Sequence, residues 1–294
     1  MAELKHILAA TDLSGPARHA VERAALVAAG SKAALAMIHI ANLAPLDQVR
    51  QLLSSEPERL EQDLVDQLRD ALRTLAATIH ERFGVTPALR VATGDLLPEL
   101  LNHAATLPAD LLVLGARGSS FLRHILLGTT AERLLSSSRV PMLVVKQPPH
   151  EPYRQLLVPV DFSASSLRAL RLARTIAPRA DISVLHVFEV PFEGQLRYAG
   201  VDESKIEHYR AIAHNQAWEK LRQLRSSAEL DDARVELLVR QGDVSQRILE
   251  QEQEADCDLI VIGKHGKDAI EELLLGRVTR HVLTEAQGDI LVSL

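Results

Sequence analysis

Apolar positions along the chain follow two periodicities that take turns. Lys5–Ala10, Ala34–Ile40, Leu89–Ala92, Leu111–Leu114 and Pro141–Val145 are short, mostly apolar runs of the kind that forms strands buried on both faces. Between them the spacing becomes helical. Asp12 and Ser14 offer caps, Pro16 suits a first turn, and an Ala-rich helix is expected to run to about Gly30. Leu60, Leu64, Leu68, Leu72, Leu75 and Ile79 form one apolar stripe of a long helix whose place is against a sheet. A further helix is predicted from Leu96 to Thr106, and a last one from near Gly128. Strands alternating with helices in this way predict an α/β fold with a parallel sheet covered on both faces.

The pattern then repeats. Ile7-Leu8-Ala9-Ala10-Thr11-Asp12-Leu13-Ser14 returns as Leu156-Leu157-Val158-Pro159-Val160-Asp161-Phe162-Ser163. Asp12 and Asp161 are 149 positions apart, and His39 and His186 are 147 apart. Gly94-Asp95 and Gly242-Asp243 keep a spacing of 148, as do Asp110 and Asp258, Gly115 and Gly263, and Gly128 and Gly276. The chain reads as a duplication, with one domain at 1–147, a second at 153–294, and Pro148-Pro149-His150-Glu151-Pro152 as the linker. The second copy is expected to follow the order of the first and to end on the strand Ile290-Leu291-Val292.

Composition narrows the class. The 294 residues suit two domains at roughly 100–200 residues each. Hydrophobic residues at 47% and charged residues at 24% exclude a disordered tail or a coiled-coil rod. A formal charge of −6 removes the bulk electrostatic case for nucleic acid or an anionic membrane, so neither is expected as a partner. A single cysteine makes no internal disulfide and fits a reducing compartment. The opening Met-Ala-Glu-Leu-Lys-His is charged where the apolar core of a secretory signal would begin, and no apolar stretch approaches the ~18 residues of a spanning helix. The expected location is the cytoplasm.

In open parallel sheets, ligands bind at the carboxyl ends of strands, where the strand order reverses. The first strand delivers Thr11-Asp12 to that edge, and the fourth delivers Gly115-Ala116-Arg117-Gly118. Gly128-Thr129 then opens the last helix. Glycines let a backbone approach phosphate, and free amides at a helix start favour anions. Thr129 and Thr130 add hydroxyls, while Arg117 and Arg123 add positive charge. Asp12 would be repelled by phosphate, but its carboxylate can accept from a ribose hydroxyl. Ile40, at the end of the second strand, suits the flat face of a base. The constellation asks for a nucleotide.

At these residues the chain resembles the universal stress protein family, whose nucleotide-binding members carry Gly-x2-Gly-x9-Gly-Ser/Thr after the fourth strand. Here that pattern is Gly115, Gly118, Gly128 and Thr129. The resemblance spans nearly the whole chain and implies two tandem Rossmann-like domains of the adenine nucleotide alpha hydrolase-like type. Each would be a five-stranded parallel sheet flanked by helices; strand order is taken from the resemblance alone. It implies base and ribose contacts at Ala10, Thr11, Asp12 and Ile40. Phosphate contacts would fall at Leu114, Gly115, Gly118, Gly128, Thr129 and Thr130. The expected ligand is ATP, or ADP or AMP, with any magnesium held largely by phosphates and water. Family members commonly pair through the last strand, so the two domains are expected to pair within one chain, which could pair again as a homodimer.

The second copy departs from the pattern. Its corresponding positions are Pro159, Val160, Asp161, Val187, Ile262, Gly263, Gly266, Gly276, Arg277 and Val278, and Arg277 replaces the Ser or Thr. From Gly263 to Val278, Lys264, Lys267 and Arg277 are balanced by Asp268, Glu271 and Glu272, whereas Gly115–Thr130 holds two arginines and no acid. This second site is read as degenerate or altered in ligand.

Structural roles compete at several positions. Thr129 with Glu132 forms a capping box, and Asp12 is a natural cap. His39 and His186, within strands, are expected to pack and make one hydrogen bond each. The twelve histidines show no metal-site spacing, and Cys257 between Asp256 and Asp258 sits in a setting that does not activate a thiolate. The chain has no Gly-x4-Gly-Lys-Ser/Thr loop, Gly-x-Ser-x-Gly elbow or Gly-x-Gly-x-x-Gly, and no catalytic residue is nominated. The leading expectation is a stress-response module that binds ATP or ADP chiefly in the first domain and acts through occupancy-dependent interactions. The alternatives are a scaffold that binds no nucleotide, with an altered pocket in the second domain, or a slow ATPase.

Overall fold

The first strand, β1 (His6–Ala10), runs through the centre of a parallel sheet, with Ile7, Leu8 and Ala9 essentially inaccessible to solvent. In the computed structural model the described residues are 4–42, 57–116, 129–190, 193–230, 233–264 and 275–294. From β1 the chain enters α1 (Gly15–Ser31), then β2 (Ala34–Ala41), α2 (Pro57–Phe83), β3 (Ala88–Thr93), α3 (Leu96–Thr106), β4 (Leu111–Gly115), α4 (Thr129–Ser137) and β5 (Met142–Val145). The strand order is β3-β2-β1-β4-β5. β1 aligns His6 with Ala34 of β2 on one side and Ile7 with Leu111 of β4 on the other, both parallel.

The second copy repeats this plan in β6 (Gln155–Pro159), α5 (Ala164–Ile176), β7 (Asp181–Phe188), α6 (Glu193–Tyr198), α7 (Glu203–Ser227), β8 (Val235–Gln241), α8 (Val244–Glu254), β9 (Leu259–Gly263), α9 (Arg277–Glu285) and β10 (Asp289–Ser293). Its strands are ordered β8-β7-β6-β9-β10. The fold is α/β twice over. The chain divides into two compact units, one built chiefly on Met1–Pro152 and the other chiefly on Tyr153–Arg174 and Pro178–Gly288.

Local chemistry explains the elements. Ser14 caps α1 by accepting from the Ala17 amide, with a proline in the first turn. The buried face of α1 includes Ala17, Ala20, Val21, Ala24, Ala25 and Ala28, small side chains that let the helix lie close on β1 and β4. The helix ends at Ser31, close to the expected Gly30, and Lys32 takes the left-handed cap conformation at φ 60°. On α2, Leu64 and Leu68 are half-buried, while Leu72, Leu75 and Ile79 are buried, as the stripe predicts. The short α6 was not anticipated.

Two repeated landmarks have structural causes. Gly94 and Gly242 sit at φ +136° and +132°, where a Cβ would approach Glu99 and Arg247 to 3.2 and 3.0 Å. They turn the chain from β3 into α3 and from β8 into α8, and Asp243 caps α8 by accepting from the Gln246 amide. The other landmark closes the entry to each central strand. Asp110 Oδ2 accepts from the amides of Lys5 and His6 at 2.7 and 2.9 Å. Asp258 accepts from Arg154 and Gln155 at 2.8 and 3.2 Å. Amides just ahead of a strand have no ladder partner, and a carboxylate supplies one with charge assistance. We expect Asp110→Ala to cost about 2 kcal/mol of stability by chemical denaturation, with Asp110→Asn intermediate; an unchanged midpoint for the alanine variant would remove this role.

Candidate functional site

At the carboxyl edge of the first sheet, connections leave β1 and β4 in opposite directions, which opens a crevice between them. Past the end of β1, the buried Thr11 continues the ladder by donating its amide to Ile38 O at 2.9 Å. Its carbonyl accepts from His39 Nδ1 at 2.9 Å, and its hydroxyl oxygen accepts the Leu13 amide at 3.0 Å. A carbonyl cannot donate, so the His39 proton sits on Nδ1. Asp12 is exposed, and its Oδ1 accepts the Ser14 amide at 3.0 Å. Leu13, at φ 65°, then turns the chain into α1.

The structure therefore brings Ala10, Thr11 and Asp12 to the same sheet edge as Ile40, half-buried near the end of β2, and Leu114 and Gly115, the last residues of β4. Thr129 and Thr130 open α4. Arg117, Gly118, Arg123 and Gly128 lie outside the described residues. A cavity of about 380 Å³ is lined by Asp95, Leu96, Leu97 and Pro98 at the start of α3 and by Arg133 of α4. None of these five was nominated from sequence. The repeated Gly94-Asp95 step was the available signal, but it pointed only to the duplication.

The second unit has the same edge with different side chains. Val160, just past Pro159 at the end of β6, donates its amide to Leu185 O at 2.8 Å and accepts from His186 Nδ1 at 2.8 Å. Asp161 follows, half-buried, with Oδ1 accepting from the Ser163 amide at 3.0 Å and the Ser166 hydroxyl at 2.7 Å. The Phe162 ring lies 4.2 Å from that of His186, and Lys220 Nζ stands 6.0 Å from the Phe162 ring centre. Val187 is buried in β7, and Ile262 and Gly263 end β9. Gly276 precedes α9 without a side-chain cap, Arg277 opens that helix exposed, and Val278 is half-buried. Gly266 lies outside the described residues.

Lys264, where the first copy has Ala116, is buried, and burial lowers the pKa of its ammonium. Its carbonyl accepts the Gly276 amide, which ties the start of α9 to the end of β9. Glu193 of α6 accepts from Arg210 of α7 and from Gln241 at the end of β8. The Arg210 hydrogen bond, aided by the charges of Arg210 and Arg197, holds the Glu193 carboxyl below its ordinary range. Sequence reasoning missed both features, since each depends on partners distant along the chain. Among the described residues, no three His, Cys, Asp or Glu side chains are grouped to hold a metal ion, and no helix is long and apolar enough to cross a membrane.

The sequence profile of the universal stress protein family matches residues 3–146 and again residues 152–293. A universal stress protein of Mycolicibacterium smegmatis is 25% identical over 300 residues, covering 97% of this chain and 96% of its own. Another from Mycobacterium tuberculosis is 27% identical over 209 residues, which is 69% of this chain and 64% of the relative, so the match spans just under two thirds of that protein. The crystal structure of a universal stress protein from Archaeoglobus fulgidus shares the fold, with a TM-score of 0.71 at 19% identity over 98% of this chain and 97% of its own.

Cys257, ahead of β9, is buried. Desolvation pushes its thiol from 9.0 up to about 12, and the carboxylates of Asp258, Glu252 and Asp256 push the same way. The folded state thus holds this proton more tightly than the unfolded chain. The stability that results is complete below about pH 9 and is lost as pH rises through the folded value. We expect Cys257 to resist iodoacetamide at about pH 8 in the folded protein and to react fully in urea. Cys257→Ala should flatten the alkaline loss of stability; rapid alkylation of the native protein, read by intact mass, contradicts this account.

Proposed function

The chain belongs to the universal stress protein family, and on that premise we propose that its first unit binds ATP or ADP and reports occupancy to partners in a cytoplasmic stress response. The observation that carries the reading is Asp12, exposed at the end of β1 where the strand order reverses and sharing that edge with Ile40, Leu114 and Gly115. In this reading the Asp12 carboxylate accepts from a ribose hydroxyl. Ile40 packs on the base, and the phosphates turn away from Asp12, whose charge would repel them. They lie toward Gly115, Gly118 and Gly128 and the first amides of α4, with Thr129, Thr130 and Arg117 as further donors. Magnesium, when present, is held by phosphate oxygens and water.

The His39 bond to Thr11 supports this arrangement, because it fixes the peptide that presents Asp12. Among the described residues at this edge, no side chain is nominated as a general base, which favours a binding module over an efficient hydrolase. In the second unit Arg277 stands in place of the hydroxyl donor, and nucleotide binding there is reduced.

Native mass spectrometry of gently purified protein, with extraction of bound ligand, tests the reading. One adenine nucleotide per chain is expected, and the same spectra report whether chains pair. Gly118→Ala with Gly128→Ala should lower affinity for MgATP by about tenfold or more, as befits lost close approach to phosphate. Turnover above a mock purification that this double change abolishes would make the first unit a slow ATPase. No copurified nucleotide and no binding of added MgATP would overturn the reading in favour of a scaffold.

A further inference from the structure

The repeated Gly-Asp step serves the two copies differently. Asp95 and Asp243 stand just before α3 and α8 on matching backbone, with φ of −77° and −63° and ψ of 126° and 127°. Asp243 caps its helix by accepting the Gln246 amide at 2.9 Å. Three residues after Asp95 the first copy has Pro98, which carries no amide hydrogen. Asp95 accordingly makes no side-chain cap bond, on backbone that would suit one.

The carboxylate that Pro98 leaves uncommitted lines the cavity of about 380 Å³ together with Arg133 of α4. Both residues are exposed, and among the described residues their side chains form no ion pair with each other or with a third group. The rest of the lining is apolar: Leu96, which is 40% exposed, half-buried Leu97, and Pro98. The second copy lacks this pair of charges. Its aspartate is engaged in the helix cap, and at the spacing of 148 His281 stands where the first copy has Arg133.

We propose that this cavity binds a small zwitterion with an apolar body, by chemical class an apolar α-amino acid. Arg133 takes the carboxylate, whose two oxygens match the guanidinium fork, and Asp95 takes the ammonium. Leu96, Leu97 and Pro98 cover the apolar side chain. The two charges decide the class. An anion alone would pair with Arg133 but face Asp95, and a cation alone would meet the reverse. A neutral ligand would cover both charges and pair neither. The volume lies at the low end of the ~300–1,000 Å³ usual for ligand pockets, which suits an amino acid better than a second nucleotide. None of the five lining residues belongs to the nucleotide reading, so the two stand independently.

Removing one charged group at a time, from ligand and from protein, tests it. The full chain would be titrated by ligand-observed NMR with leucine, valine, methionine and phenylalanine. For the one bound best, analogues lacking the ammonium, lacking the carboxylate, or carrying a hydroxyl in place of the ammonium would follow. At least one of the four should bind at millimolar concentration or below, and each analogue should bind about tenfold more weakly or worse. Asp95→Asn and Arg133→Gln should each weaken the amino acid by about tenfold. Thermal unfolding of both variants should match the wild type, since neither side chain makes a hydrogen bond or ion pair in the fold. No binding by any of the four, or full affinity in either variant, overturns the inference. Equal binding of the hydroxy acid would make Asp95 a hydroxyl acceptor and overturn the zwitterion, as would equal binding of either truncated analogue. A lower melting temperature for Asp95→Asn would give the carboxylate a structural partner and do the same.

Discussion

The geometry of both sheet edges depends on one contact, an imidazole on the second strand donating to the carbonyl just before the aspartate. Thr11 and Val160 make the last ladder bonds of β1 and β6 through their amides, and their carbonyls would then face a half-buried turn without a strand partner. His39 and His186 supply the donor at 2.9 and 2.8 Å. Satisfying that acceptor fixes the following peptide, and with it the direction in which Asp12 or Asp161 leaves the sheet. The left-handed residue comes next and the helix cap after it. Each step is set by the one before, so the brace on the carbonyl positions the carboxylate.

Much of this was legible because it is written in local terms. The runs around β1, β2 and β4 and the stripe of α2 carry their periodicity openly, and the duplication made each landmark count twice. What escaped was nonlocal. Lys32 ends α1 in the left-handed conformation, which no local signal announces at a lysine. The tie from Glu193 to Arg210 and Gln241 joins residues 17 and 48 positions apart, beyond any spacing argument. Leu96, Leu97 and Arg133 meet around a cavity only because α3 and α4 lie side by side. The histidines were legible as packed, hydrogen-bonded side chains, but which carbonyl they meet follows from strand register.

Duplication separates what the fold needs from what a ligand needs. At the amino edges of the sheets the copies agree: Asp110 and Asp258 each close the entry to a central strand through two amides. In the turns after the third strands they also agree, at Gly94 and Gly242. These positions answer to backbone geometry, which is the same in both halves.

At the carboxyl edges the copies part. Ala17 becomes Ser166, Leu13 becomes Phe162, Ala116 becomes the buried Lys264, and Thr129 becomes Arg277. A buried ammonium in place of a methyl group is a costly change for structure alone. The second edge carries Lys264 and Arg277 where the first has Ala116 and Thr129, and its carboxylate accepts from the Ser166 hydroxyl of α5. Both changes act where strand order reverses. On matching backbone, those replacements support the reading of the second crevice as degenerate or altered in ligand.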